Sequence, residues 1–284
     1  VVEVSSESLM LGGAANVANN IHSLCGKVLV CGVIGKDEMG KNLVHELTSK
    51  GISANGVVVE NNRPTSVKTR VIAHSQQVVR FDRENRDKIH VDTMKIIIDY
   101  LKQELNFIDI IVISDYSKGV ISDELVKEVI TLARKSGKPV AVDPKVSHFD
   151  FYKYATIVTP NNNEASDASG VDIKDNASLL RAGEVLLNKL GSDAILITRG
   201  EHGMSLFENT DEITNIPTVA KEIYDVSGAG DTVIGTVALA IASGASFKEA
   251  AVLSNFAAGI VVGKIGTATV TPEELKIAIK EGLK

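Results

Sequence analysis

The chain has 284 residues, 44% of them hydrophobic and 23% charged, enough to bury the core of one large α/β domain or of two smaller ones. Its formal net charge is -6 and its isoelectric point near 5.6, with acids and bases mixed rather than segregated into blocks, which sets nucleic acid aside as the main partner. No apolar run reaches the roughly 20 residues that span a bilayer and no signal-peptide pattern is legible, so a soluble, cytoplasmic protein with no membrane partner is expected.

The first four residues, Val1-Val2-Glu3-Val4, read as the end of a strand. Ala14, Val17, Ala18, Ile21 and Leu24 then recur at helical spacing, and Lys27 to Cys31 forms a short apolar run, a helix followed by a strand. Cys25 and Cys31 lie beside or within apolar sequence, with neither a Cys-x-x-Cys spacing nor a His-rich neighbourhood. Buried thiols in a reducing compartment are the expectation. From Gly56 to Asp82 the pattern turns to β alternation in Val57–Val59, Ser66–Ile72 and Gln77–Phe81, broken by turn residues at Asn61-Asn62 and Pro64. This predicts a separate small sheet.

From Asp92 onward amphipathic helices alternate with short apolar strands at 108–114, 140–143, 157–159 and 194–198. Strands apolar on both faces predict a mostly parallel sheet covered by helices, and ligands of such sheets bind at the carboxyl ends of the strands. Those ends read Asp115-Tyr-Ser-Lys-Gly119, Asp143-Pro-Lys145, Pro160-Asn-Asn-Asn-Glu164 and Arg199-Gly-Glu-His-Gly203. All four are polar, charged or glycine-rich, as an enzyme cleft requires. The segment Thr232 to Gly263 is helical and rich in Ala and Gly, so backbones can approach one another closely.

Val226-Ser-Gly-Ala-Gly230 leads directly into Asp231 and a helix that Gly244 should end. Glycines at a helix start leave amide N–H groups unshielded where the helix dipole is positive, an anion hole. A carboxylate in that first turn can take a proton from an attacking hydroxyl while the amides stabilise a phosphoryl group. With an ordinary aspartate pKa near 3.9, Asp231 would be ionised at neutral pH. Taken alone, the same residues suit an acid that only complements the dipole beside a tight turn. Gly12-Gly13-Ala-Ala-Asn16 could bring backbone to a sugar and Asn16 to a hydroxyl, or could be ordinary helix punctuation. Asn161-Asn-Asn-Glu164 follows a strand and a proline and, taken alone, reads first as a polar loop and N-cap. The Gly-x-x-x-x-Gly-Lys-Ser/Thr phosphate loop and the protein-kinase catalytic set are both missing.

Together, Gly12-Gly13-Ala-Ala-Asn16-Val-Ala18 and Asp225-Val-Ser-Gly-Ala-Gly-Asp231, in that order, resemble the two patterns of the ribokinase-like (PfkB) carbohydrate kinase family. Within it the likeness is greatest to the kinases of D-glycero-β-D-manno-heptose 7-phosphate, through Pro64–Val71, Gln76–Arg80, Asp143-Pro-Lys145, Thr159-Pro-Asn161, Glu201–Leu206, Tyr224–Gly235 and Val261–Gly266. The resemblance runs over nearly the whole chain. It implies a ribokinase-like α/β fold: a kinase domain of residues 1–56 and 83–284 with a mostly parallel central sheet flanked by helices, and a β-rich lid, 57–82, inserted in it. It further implies a first strand preceding Val1 that ends in an Asp for sugar hydroxyls.

The resemblance also assigns roles. Asp231 looks like the base, and Gly228, Ala229 and Gly230 like the hole for the γ-phosphate. Asn161, Asn162, Asn163 and Glu164 match the Asn-x-x-Glu motif that holds ATP phosphates and, through water, Mg2+. Thr198, Gly200 and Gly203 fall where nucleotide phosphates and ribose lie, and Asn255 where adenine is approached. Gly12, Gly13 and Asn16 fall on the sugar side. Asp225 and Ser227 stand where several members bind a monovalent cation such as K+. Lys68, Arg70, Arg80, Lys118 and Lys145 are the cations available for a sugar phosphate, each also readable as a solvated surface charge. Cys25 stands where a glycine is usual, with Gly26 one place later.

The activity implied is ATP-dependent phosphorylation of the anomeric hydroxyl of the heptose 7-phosphate, in ADP-heptose and lipopolysaccharide precursor synthesis, by a homodimer built through the lid. Many relatives continue into a nucleotidyltransferase domain, so kinase activity alone is expected of this stretch. Another sugar kinase of the family, for ribose, fructose or a sugar acid, and a catalytically silent sugar- or nucleotide-binding module are the alternatives.

Overall fold

Apolar residues alternate between the two faces of a central sheet, and helices cover both. The computed structural model describes residues 3–73, 76–209, 213–220 and 223–282. In chain order its elements are α1 (Ala14–Ser23), β1 (Leu29–Gly35), α2 (Glu38–Ser49), β2 (Ser53–Glu60), β3 (Val67–Ala73), β4 (Gln76–Arg83), α3 (Val91–Glu104), β5 (Ile111–Ser114), α4 (Asp123–Lys135) and β6 (Val140–Asp143). After a 3-10 segment, Val146–Tyr152, come β7 (Ile157–Val158), α5 (Asn162–Ser169), α6 (Asn176–Leu190), β8 (Ala194–Thr198), β9 (Met204–Glu208), β10 (Ile213–Ile216), α7 (Ala229–Ala242), α8 (Phe247–Val261) and α9 (Pro272–Gly282).

The main sheet runs β10-β9-β8-β7-β6-β5. Strands β5 to β8 are parallel, as their two-sided apolar runs predict, while β9 and β10 join antiparallel. On one face Ile113, Val140, Val142, Val158, Ile195, Ile197 and Phe207 pack with α3, α4 and α6. On the other, Ala141, Ile157, Ala194, Leu196 and Leu206 pack with α1, α7 and α8. Each fully buried aliphatic side chain contributes about 1.5–3 kcal/mol. Small residues on the second face let α7 lie close to β6, which brings its N-terminus to the strand ends. Among the described residues no helix is long and apolar enough to cross a membrane.

Several expectations are corrected. The β segments between 57 and 82 do not form one sheet: β2 pairs in parallel with β1, and β3 and β4 form an antiparallel hairpin of their own. The strand after α1 spans Leu29–Gly35 rather than 27–31, because Gly32 and Gly35 continue the ladder with β2. The strand end expected at Val1–Val4 lies partly outside the described residues, and Glu3 and Val4 are not in a strand. Cys25 and Cys31 are exposed rather than buried. The Cys31 sulfur and the Tyr100 ring nevertheless both lie against Gly56, and burial, then Glu104, pushes the thiol up to about 11.

The hairpin β3–β4 stands apart from the helical layers. Its root is tied by Asp37, which caps α2 through Gly40 N and also accepts Thr65 N and Oγ1 at 2.9 and 2.6 Å. The second strand is tied at the same root by Glu84, which meets Lys118 at 2.5 Å.

Candidate active site

Strand ends and one helix start converge. The β5–β6 ladder continues past the strands through Asp115 N to Asp143 O, that of β6–β7 through Thr159 N to Val142 O, and that of β7–β8 through Thr198 N to Pro160 O. Side chains at these ends are therefore held in register by backbone hydrogen bonds. They line a cleft of about 170 Å3 formed by Tyr116, Asp143, Lys145, Thr159, Asn161, Glu164, Thr198, Gly230 and Val233.

Helix α7 begins at Gly228, whose φ of 82° is left-handed. A Cβ there would stand 2.9 Å from the Asn16 amide nitrogen, whereas nothing lies within 4 Å of the corresponding point on Gly230. The first turn of α7 thus presents open backbone to the cleft, with positive helix-end potential behind it. Asp231, 8% exposed, sits in the same turn. Asn16 Nδ2 donates to its Oδ2 at 2.6 Å, and the Tyr116 hydroxyl donates to its Oδ1 at 2.5 Å. Burial raises the Asp231 pKa above the usual aspartate value, although Tyr116, Asn16 and Lys145 all pull it back. The simple expectation from an isolated aspartate is corrected to that extent. Asp143, on the neighbouring strand end, is pushed up to about 7 by burial and then by Asp231 and Glu164.

Asn161 and Glu164 form a reciprocal capping box at the start of α5, with bonds of 2.9 and 3.0 Å. Capping leaves the Glu164 carboxylate facing Lys145, whose Nζ lies 2.9 Å away. Burial opposes the Lys145 charge, but Glu164 outweighs it, with Asp143 and Asp115 adding, and the ammonium is held above its usual range. Both readings of the Asn161–Glu164 segment therefore coexist in one structure: it caps a helix and it lines the cleft. Asn162 and Asn163 occupy the first turn of α5.

The remaining candidates lie around this centre. Gly13 caps α1 with φ 57° and faces the Tyr116 ring, while Gly12 has open surroundings. Asn16, expected at a sugar hydroxyl, is completely buried where α1 packs against α7 and donates from Nδ2 to Asp231, while its Oδ1 has no partner among the described residues. Gly200 opens a 3-10 turn with φ 55°, and Gly203, φ 76°, abuts the Ile216 carbonyl where a Cβ has no room. Asn255 is buried and donates to Pro217 O at 2.8 Å, fixing the segment before residue 220. Asp225 accepts Ser227 N at 2.9 Å and Gly266 N at 3.0 Å, tying two loops together. Ser227 and the Gly266 amide, with Arg70 more distantly, hold its carboxyl below the usual range.

Of the cations expected for a sugar phosphate, only Lys145 lines the cleft. Lys68 and Arg80 both meet Asp82 within the hairpin, at 2.8 and 3.1 Å, and Lys118 meets Glu84. Tyr116 and Asp143 were missed as individual site residues. The polar strand ends that contain them were the available signal, but their mutual approach to Asp231 is made by the sheet and is invisible in local sequence.

Among the described residues no cluster of three or more His, Cys, Asp or Glu side chains could hold a metal. Glu164 and Asp143 offer hard oxygen donors at the cleft wall, a set suited to a magnesium ion carried mainly by phosphates and water.

The pfkB family carbohydrate kinase model matches residues 1–274. The bifunctional protein HldE of Geobacter sulfurreducens is 49% identical over 275 residues, 97% of this chain and 56% of that protein. The HldE of Citrifermentans bemidjiense is 49% identical over 284 residues, covering 100% of this chain and 58% of its own length, and that of Helicobacter pylori 41% identical over 281 residues, 99% and 60%. The chain thus spans somewhat over half the length of these curated relatives. In fold it is similar to Arabidopsis thaliana ribokinase complexed with ribose and ATP, TM-score 0.78 at 20% identity over 99% of this chain and 91% of the other. It is also similar to phosphofructokinase-2 of Escherichia coli, TM-score 0.80 at 18% identity over 96% and 88%.

Proposed function

Given that the chain belongs to the pfkB family of carbohydrate kinases, we propose that it transfers the γ-phosphoryl group of ATP to the anomeric hydroxyl of D-glycero-D-manno-heptose 7-phosphate, giving the 1,7-bisphosphate for ADP-heptose synthesis in the cytoplasm. One observation carries the chemical part of this reading: Asp231 lies in the first turn of α7, beside the open backbone of Gly230 at a cleft built from strand ends. The sugar is supported by the heptose-kinase likeness of segments such as Pro64–Val71 and Asp143-Pro-Lys145, and by the HldE relatives.

In this reading Asp231 accepts the proton of the sugar hydroxyl as the oxygen attacks phosphorus, and the amides of Ala229 and Gly230 stabilise the charge on the transferred group. Such transfer depends mainly on positioning and charge stabilisation. Thr198 and Asn161 bind nucleotide phosphates, with Lys145 beside them. Glu164 would hold Mg2+ through water; the ion, when bound, neutralises charge on the phosphates. Gly200, Gly203 and Asn255 shape the nucleotide side, and Gly12 and Gly13 the sugar side. Asp225 and Ser227, joining two loops, would contribute oxygens to a monovalent cation. The hairpin 67–83 would close over the sugar with Lys68, Arg70 and Arg80. Its exposed Ile72, Val78 and Phe81 would seat against a second copy of the chain.

The test is a panel in which ADP release is measured with heptose 7-phosphate, ribose, fructose and a sugar acid. Turnover confined to the heptose phosphate is expected. Preference for a free sugar would overturn the substrate, and ligand binding without ADP release would overturn the enzyme.

A further inference from the structure

Tyr116 holds the proposed base although no role falls to it in the motifs above. Its hydroxyl takes one oxygen of Asp231 while the buried Asn16 takes the other. Its ring packs beside Gly13, where a Cβ would stand 3.6 Å from Tyr116 Cε2. The backbone that carries it is anchored below the cleft by Asp115, which has no exposed surface. Asp115 accepts Ser117 N at 2.7 Å and the Tyr152 hydroxyl at 2.6 Å, and its Oδ2 lies 2.7 Å from His148 Nδ1. The Tyr152 oxygen in turn accepts Lys145 N at 3.1 Å. One buried hub therefore fixes the end of β5, with Tyr116, relative to the end of β6, with Asp143 and Lys145.

We propose that Tyr116 is a positioning residue for the transfer reaction: its hydroxyl fixes Oδ1 of Asp231, so that the carboxylate is held by Tyr116 on one oxygen and by Asn16 on the other. This rests on the kinase reading given above.

Hydrogen bonds donated to a carboxylate favour its charged form. Asp231 accepts two short bonds of this kind, one on each oxygen. The charged groups facing Asp231 are Asp143 at the end of β6 and Lys145 after it; α1 contributes the neutral Asn16. Lys145 is itself committed to Glu164. Burial and then the charge of Asp231 push the Tyr116 phenol well above its ordinary range, so it remains a donor at every working pH. With one lone-pair direction on each oxygen occupied, the other is left for a sugar hydroxyl.

Tyr116→Phe removes only the hydroxyl and keeps the ring against Gly13, so the fold is retained. In the full chain, kcat/KM for the sugar phosphate is measured from about pH 5 to pH 9, with KM for ATP alongside. The acid limb is expected to move up by about one pH unit, since a lost hydrogen bond to a carboxylate raises its pKa. Turnover on the alkaline side should stay within a few-fold of wild type and KM for ATP should be unchanged. A fall that is the same at every pH, or an unmoved acid limb, overturns the role of Tyr116 while leaving the kinase reading intact. A wild-type chain that releases no ADP with any sugar or sugar phosphate overturns both.

Discussion

Asn16 on α1 and Asp231 on α7 meet at 2.6 Å across 215 positions of chain. The contact exists because the two helices pack closely: Gly235 lets α7 approach Asn20 and Ile21, and Thr232 Oγ1 donates to Asn20 Oδ1 one turn along at 2.9 Å. Both ends of the pair belong to the two family patterns noted in the sequence, Gly12–Ala18 and Asp225–Asp231. Those patterns are thus halves of one hydrogen-bonded unit, and the Asn16 amide is part of how Asp231 is oriented.

Replacing that carboxylate is the most direct test of its proposed role. Asp231→Asn keeps shape and packing, and Tyr116 can turn its hydroxyl to accept from the new amide. Turnover should fall by about 10²–10⁴, the range for loss of a general base. The melting temperature and the dissociation constant for ATP should stay near wild type. Near-normal ADP release would remove Asp231 from the mechanism.

Gly228→Ala addresses the same unit from the backbone. A residue with a Cβ at φ 82° is strained by about 1–2 kcal/mol, and the added methyl would stand 2.9 Å from Asn16 Nδ2. Both effects should appear: a lower denaturation midpoint, and turnover reduced by more than ten-fold, because Asn16 must move off Asp231. Gly230→Ala, with open space at its Cβ position, should leave stability nearly unchanged. A Gly228→Ala chain as stable as wild type would show that no left-handed turn precedes α7.

Asp143 gives a pH-dependent prediction. Its folded-state pKa is raised to about 7, against about 4 in an unfolded chain. Between those values the folded protein retains a proton that the unfolded chain has released. Stability from this group is therefore full below about pH 4 and is lost progressively as pH rises through 7. Asp143→Asn does not titrate, so in nucleotide-free protein its melting temperature should exceed wild type by an amount that grows from pH 4 to 7 and levels off above. A constant difference across that range would show that Asp143 is not a desolvated acid.

Much of this was legible in sequence, for physical reasons that differ from residue to residue. The strands at 140–143 and 194–198 were legible because burial on both faces demands unbroken apolar runs, as Ala141 and Val142 or Ala194 and Ile195 show. Asp231 and its glycines were legible because a helix that starts from a left-handed N-cap with open backbone draws glycines and a first-turn acid into one contiguous stretch. β9 escaped notice because Met204–Glu208 has no alternation to mark it as an antiparallel addition, and β2 was placed with the wrong partner because strand pairing is non-local. Tyr116 and Asp143 lay in polar strand ends that were recognised as a group. Their individual importance comes from distances to Asp231, which only the sheet register sets.

The turn after α1 carries the last prediction. Cys25 adopts φ 68°, left-handed for a residue with a Cβ, at the place where the family pattern usually has glycine. The strain of about 1–2 kcal/mol is partly offset because glycine would lose about 0.5–1 kcal/mol more backbone entropy on folding. Cys25 is exposed, so no packing is forfeited. Cys25→Gly should therefore stabilise the chain by up to about 1 kcal/mol, a rise in melting temperature of about 2–4 °C for a protein of this size, with kcat unchanged. The adjacent Gly26 cannot exchange roles with it: a Cβ there would stand 2.5 Å from Ile21 Cγ2 and 3.0 Å from Ile21 O. Gly26→Ala should lower the melting temperature while Cys25→Gly raises it, an opposite pair of shifts in one turn read by the same thermal scan. Equal effects of the two substitutions would exclude left-handed strain at Cys25 as the cause.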